Sequence, residues 1–340
     1  MRERTLVIIL NQDRDLEFTL PSIKKHVLQP LNADLAFCGS WTKGKSDSIK
    51  SHFTFDWSGI EPTDWVVALD QNAKGDWRKL IQFGEQYGSH FLGPTVDGAS
   101  TGSGLIGHYW RYQLKKNLTQ NFIDDYEWFV ITRSDWLWKI SHPDVTLLNE
   151  DKIYVLAGES YGGVNDRHII VSRRYIHKVL MIPDFIFLNS LETVKILKES
   201  NLENLNCERF YKVCLNQLDL LDFTTEIPYL GFLIRQKDST TRWASGKYNW
   251  KLGVYVKYQT EYELFQKSSR YIKNQNFWSD YLSNPENSGI FQGEILRKNN
   301  NLLRIIIDVI KYKNVRRRVF RIVFGEPYKN FLTKFQNWRE

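Results

Sequence analysis

Apolar residues in this chain come in short β-branched runs that stop abruptly at charged or amide side chains. Stretches of helical periodicity lie between them. Thr5 to Leu10 is the first run, and it ends at Asn11-Gln12-Asp13-Arg14. A helix is expected through Ser22 to Leu28, with Pro21 near its first turn, where a missing N–H is tolerated. Ala33 to Cys38 reads as a second strand. Strand, helix, strand opens a parallel α/β sheet. Helices are expected over Trp77 to Tyr87 and from a Ser103 cap to Lys116, the latter with Leu105, Tyr109, Tyr112 and Leu114 on its apolar side. Phe129 to Thr132, Lys152 to Leu156, Ile169 to Ser172 and Pro228 to Gln236 read as further strands, and Trp136 to Ile140 as an extended piece. Helices fit Arg174 to Met181, Leu191 to Glu199 and Glu208 to Leu218. The pattern predicts an α/β fold with a mostly parallel central sheet flanked by helices.

The strand tips carry the chemistry. The central run Phe129 to Thr132 empties into Arg133-Ser134-Asp135, two opposite charges at a strand's C-terminal end. That edge is where open α/β sheets bind ligands. Further on, Gly162-Gly163-Val164-Asn165-Asp166-Arg167-His168 gathers glycines, a carboxylate, a guanidinium and an imidazole just before a strand. A parallel sheet is expected to bring these clusters and the Gln12–Arg14 tip to one edge. A diphosphate bound there would find cations in Arg14 and Arg133 and donors in glycine backbone amides. A divalent cation bridging it would need one or two carboxylates, a role that suits Asp135. The alternative for Asp135 is a turn cap or a partner for Arg133.

Gly39-Ser-Trp-Thr-Lys-Gly-Lys45-Ser46 satisfies the P-loop pattern after a strand. A P-loop needs a solid helix whose N-terminus faces the phosphates. Asp47 to Phe55 shows little helical periodicity, so a plain loop is the stronger reading. The glycine- and serine-rich stretch Gly93 to Gly104 fits a ligand-approaching loop and a linker equally well.

Composition refines this picture in three places. Aromatics make up 14% of the 340 residues, with 12 Trp, which points to buried rings or to platforms for stacking flat sugars. The net charge of +7 is carried by the end of the chain: from Glu294 to Glu340 there are 12 Lys/Arg against 4 Asp/Glu, leaving 34 against 35 elsewhere. There Leu302, Leu303, Ile306, Val309, Val315, Val319 and Ile322 recur at helical spacing between arginines. Such a basic amphipathic helix suits an anionic membrane surface, and it suits a helix docked on the body equally well. No nucleic-acid reading module accompanies it, so nucleic acid is not an expected partner. Third, Cys38, Cys207 and Cys214 lack metal-ligand spacing, and no apolar run has the length of a signal or a membrane span. A cytoplasmic protein, peripheral on the inner face of the membrane, is the expectation.

Ile9-Leu-Asn-Gln12-Asp-Arg14 with Pro30-Leu-Asn-Ala-Asp34, and Ile131-Thr-Arg-Ser-Asp135 with Gly162-Gly-Val-Asn-Asp166-Arg167, resemble the paired signatures of bacterial and viral polysaccharide glycosyltransferases of the GT-A type. The resemblance covers roughly residues 5 to 245. It implies a Rossmann-like nucleotide-sugar fold over residues 1–250, with 251–340 as a helical basic extension. It also implies a nucleotide-sugar donor, a glycan or lipid-linked acceptor, and a divalent cation (Mn²⁺ or Mg²⁺) at an Asp-x-Asp site whose second carboxylate is Asp135. Arg133 stands where that motif has its first Asp, and a guanidinium there can neutralise the diphosphate itself. On this resemblance Gln12, Arg14, Arg133, Asp135, Gly162, Gly163 and Asn165 bind the donor. Asp166 takes the acceptor proton, with Glu159 in reserve. Arg167 and His168 stand near the acceptor, though a His that starts a strand is more often a buried structural one. Two other classes stay open: a P-loop kinase or NTPase built on Gly39 to Ser46, and a non-catalytic carbohydrate-binding protein.

Overall fold

β1 (Thr5–Gln12) lies at the centre because its side chains are apolar on both faces; residues 5–10 are all buried. Covering both sides of such a strand contributes about 1.5–3 kcal/mol for each large aliphatic side chain. The computed structural model describes residues 4–42, 47–87, 91, 104–202, 204–236, 246–273 and 276–283. The chain divides into Met1–Ser288 and Gly289–Glu340. The second unit, and with it the basic amphipathic stretch, lies outside the described residues.

Parallel β2 (Asp34–Ser40) and short β3 (Phe55–Asp56) extend the sheet on one side of β1. β4 (Trp128–Arg133) pairs parallel on the other side. The chain then leaves this sheet as β5 (Trp136–Trp138), and returns with β6 (Ile153–Leu156), β7 (Ile169–Ser172) and β8 (Thr224–Ile227). The seven-stranded order is β3-β2-β1-β4-β7-β6-β8. β7 runs antiparallel to both β4 and β6. A second sheet has the order β10-β11-β9-β5, with β9 (Gly231–Arg235), β10 (Lys247–Asn249) and β11 (Val254–Val256).

The main sheet is mostly parallel, as expected, but three details change. β7 is reversed, and its reversal is what brings residues 166–168 to the edge where β4 ends: Ile169, at the start of β7, pairs with Ile131 near the end of β4. A parallel β7 would have carried them to the opposite edge. The first helix begins earlier, at Leu16, holds Pro21 inside it, and continues through Lys24–Leu28 as a π-helical turn to Leu31. Finally, β11 and the Gln259–Tyr271 helix pack on β9, so the body runs well past residue 250.

The P-loop pattern loses its context. Only a four-residue helix, Asp47–Lys50, follows it, and Lys45 and Ser46 lie outside the described residues. Gly39 has a packing reason of its own: a Cβ there would sit 1.5 Å from the carbonyl oxygen of Asn11 on the paired strand.

Candidate active site

The strand order reverses direction between β1 and β4, and ligands bind outside the carboxyl ends of strands at such a point. Both ends are polar here, and they are tied together. Ser134 Oγ donates to the Gln12 carbonyl at 2.6 Å, and Thr19 Oγ1 donates to the Ser134 carbonyl at 2.5 Å. These bonds turn the chain out of the main sheet, and the Asp135 carbonyl accepts from Ile234 N of β9 at 3.0 Å. The turn buries Asp135 to 1% exposure.

Arg133 grips that carboxylate with two parallel bonds, Nε to Oδ1 and Nη2 to Oδ2, each 2.8 Å. Arg235, the last residue of β9 and itself 1% exposed, adds a third from Nη1 to Oδ2. The same nitrogen lies 3.5 Å from Asp15 Oδ2, while Asp15 Oδ1 accepts from Gln236 N at 3.0 Å. Burial alone would push the Asp135 pKa up, but Arg133 and Arg235 hold it well below the usual carboxylate range.

The cations around this pair repel one another. Desolvation, then the Arg235 and Arg133 charges, lower the pKa of Arg14, although its side chain stays exposed. Burial and then Arg133 push Lys257 down to about 7. Arg235 Nε and Nη2 are buried and lack a hydrogen-bond partner among the described residues. Arg14, Arg133, Arg235 and Lys257 thus surround Asp15 and Asp135, with Glu61 and Glu261 at the margins. A cluster with this surplus suits an anion.

A divalent cation does not fit the same place. Both oxygens of Asp135 are taken by guanidinium groups, with Lys257 as a further positive charge and Asp15 across Arg235. The lone pairs of Asp135 already accept charged donors, so the Mn²⁺ or Mg²⁺ expected there would have to displace Arg133 and Arg235.

The β6–β7 loop reaches the same edge. Arg111, from the Gly104–Asn117 helix, bonds both the carbonyl and Oδ2 of Asp166 at 2.8 Å. Burial opposes ionisation of Asp166, but Arg111 and Arg167 prevail and its pKa falls. Asp166, expected as the base, is thus held in an ion pair with Arg111. Arg167 joins Glu208 at 2.9 Å and Glu261 at 3.3 Å and donates to the Glu159 carbonyl. Burial and then Asp166 push Glu208 up to about 7; burial also raises Glu261 to about 7. Arg133 acts electrostatically on Asp166, and Arg167 on Arg133, so the two clusters are neighbours.

Other expected residues turn out to hold the loop in shape. Asn165 is buried; its Nδ2 donates to the Gly158 carbonyl and Tyr229 Oη, and its Oδ1 accepts from Arg167 N. Both hydrogens of its side-chain amide are thereby used within the loop. A Cβ on Gly163 would sit 2.0 Å from the Glu208 carbonyl, and its N–H already donates to Ser160. Gly162 adopts φ +83° against Arg209, a backbone that glycine tolerates best. Gln12 Nε2 donates to Glu61, and Glu159 accepts from Tyr161 Oη. His168 is 0% exposed between Trp138 and His142, in the buried structural setting that a strand-starting His was also expected to have. Sequence reasoning missed Arg235, Lys257, Glu208 and Glu261. Arg235 alone had a signal, an arginine closing an apolar strand just as Arg133 does.

The model of a domain of unknown function, DUF7796, matches residues 110–241. That span holds β4, the β6–β7 loop and β9. No curated protein matches the chain. Among solved structures, mouse xyloside xylosyltransferase 1 in its apo form is similar at a TM-score of 0.36 and 7% identity, over 66% of this chain and 85% of that one. No described helix is long and apolar enough to cross a membrane.

Proposed function

We propose that this chain is a glycosyltransferase that moves a sugar from a nucleoside-diphosphate sugar to a hydroxyl of a glycan or lipid-linked glycan. The observation that carries the reading is the convergence of Arg14, Arg133, Arg235 and Lys257 on two buried aspartates at the β1/β4 switch point. A departing diphosphate gains negative charge as the glycosidic C–O bond breaks, and preorganised cations stabilise that charge most where water is excluded. Arg133 and Arg235 are positioned as the main pair. Asp135 and Asp15 orient them.

The acceptor oxygen attacks the anomeric carbon, and the electron pair of the breaking bond leaves on the β-phosphate oxygen. The acceptor proton needs a base whose pKa lies near the working pH. Glu208, half-buried beside Asp166 and Arg167, meets that requirement better than Asp166. Hexosyl or deoxyhexosyl transfer fits these groups equally. A cytoplasmic setting with the basic tail on an anionic membrane surface would bring a lipid-linked acceptor within reach.

The test is a turnover assay with UDP-, GDP- and dTDP-hexoses, following release of the nucleoside diphosphate in EDTA and in Mn²⁺. Turnover in EDTA that Arg133→Ala abolishes supports the proposal. A chain that releases no nucleoside diphosphate from any donor in either buffer would sink it.

A further inference from the structure

The second sheet has two unlike faces. Phe232, Ile234, Val254, Val256 and Leu137 form one, packed under Tyr262 and Phe265 of the Gln259–Tyr271 helix. Residues directly opposite on antiparallel strands share a face. The register therefore puts Arg235 of β9, Tyr255 of β11 and Tyr248 of β10 in one row on the other face. At its β9 end the row is covered, Arg235 being held against Asp15 at the start of the Leu16–Ile23 helix.

Exposure rises along it. Arg235 is 1% exposed, Tyr255 and Tyr248 are half-buried, and Trp250 at the hairpin tip is 87% exposed. The rings touch: Tyr248 meets Tyr255 at 4.9 Å and Trp250 at 4.7 Å between centroids. Asn249 fixes the tip, its Oδ1 accepting from Lys251 N and Leu252 N while Gly253 turns with φ +70°. The row from β9 to β10 is roughly 10 Å long, from the usual spacing of strands. It starts at a guanidinium of the diphosphate cluster and ends in solvent.

We propose that Tyr255, Tyr248 and Trp250 form the binding track for the acceptor, a chain of pyranose sugars whose flat faces lie on the rings. This inference rests on the glycosyltransferase reading, and continuity with Arg235 is what selects the occupant. Aromatic faces graded from buried to exposed, with Lys251 beside Trp250 in the turn, suit an extended ligand that is apolar on its faces and hydroxylated at its edges. A membrane-inserting tip would expose aliphatic residues as well, and in this hairpin Leu252 is half-buried.

The experiment is calorimetric titration of the full chain with cellohexaose, chitohexaose and maltohexaose, beside sedimentation with vesicles containing anionic phospholipid. At least one saccharide is expected to bind, with Trp250→Ala and Tyr248→Ala each weakening it about tenfold and Trp250→Phe retaining most of it. Trp250 is exposed, so equal melting temperatures will show that the alanine variant folds. Saccharide binding without turnover of any nucleotide sugar keeps the track and overturns the enzymatic reading. Turnover of a donor with no Trp250-dependent saccharide binding does the reverse. Vesicle binding that needs Trp250, with no saccharide bound, overturns the track in favour of a membrane contact.

Discussion

Two charged clusters share one sheet edge, yet burial pushes them in opposite directions. Around β4 and β9 the cations are in surplus: Arg14 and Lys257 are lowered, and Asp135 stays firmly ionised. Around the β6–β7 loop carboxylates crowd together, and Glu208 and Glu261 rise to about 7. Desolvation disfavours whichever charge lacks a partner. The lesson is that motifs of similar composition, Arg-x-Asp and Asp-Arg, acquire different chemistry from what the fold sets beside them. One side is suited to holding an anion and the other to taking a proton.

Removing Arg235 should break this contrast most severely. Arg235→Ala leaves Asp15 and Asp135 short of a buried counter-charge, and chemical denaturation should show a loss of about 3–5 kcal/mol. Glu208→Gln should lower kcat by about 10²–10³ while changing the melting temperature little, since the amide can still accept from Arg167.

The clusters should also oppose each other in pH. Glu208 becomes a base as pH rises through about 7, whereas Lys257, facing Arg133, Arg235, Asp135 and Glu261, loses its charge through the same value. A bell-shaped kcat/KM profile centred near 7 is expected. Lys257→Arg should extend its alkaline limb and Glu208→Gln should flatten its acid limb.

A smaller effect concerns stability. His168 is buried among Trp138 and His142, and burial holds its pKa well below 6.5. The unfolded chain protonates this ring below pH 6.5 and the folded one does not, so stability is lost as pH falls through that window. His168→Phe should therefore gain on the wild type by up to about 1.4 kcal/mol per pH unit below 6.5, seen in urea melts at two pH values. Lys45→Ala should leave turnover unchanged.

Much of this architecture was readable in advance, and the gaps have physical causes. β1, β2 and β4 announced themselves because strands buried on both faces are apolar throughout and end sharply. Their tips located half of the cation cluster, Arg14 and Arg133. The direction of β7 was hidden because periodicity reports burial and carries no sense of strand polarity. Lys257 and Glu261 escaped because each looks like an ordinary solvated charge until β11 and the following helix pack against Arg133 and Arg167. The Trp65–Asn72 helix was missed although Asp64 caps it, accepting from Val66 N and Val67 N. Asn165 and Gly163 look like ligand-binding residues in sequence, since shaping a loop and binding a phosphate call for the same amides and glycines.

The most direct measurement is titration of the full chain with inorganic pyrophosphate and with UDP, GDP and dTDP, in EDTA and again in Mn²⁺. Binding of equal strength in both buffers, weakened by salt and abolished by Arg133→Ala, is the predicted result. Binding that appears only with Mn²⁺ and disappears in Asp135→Asn would contradict the account, because a metal and not the arginines would then hold the phosphates.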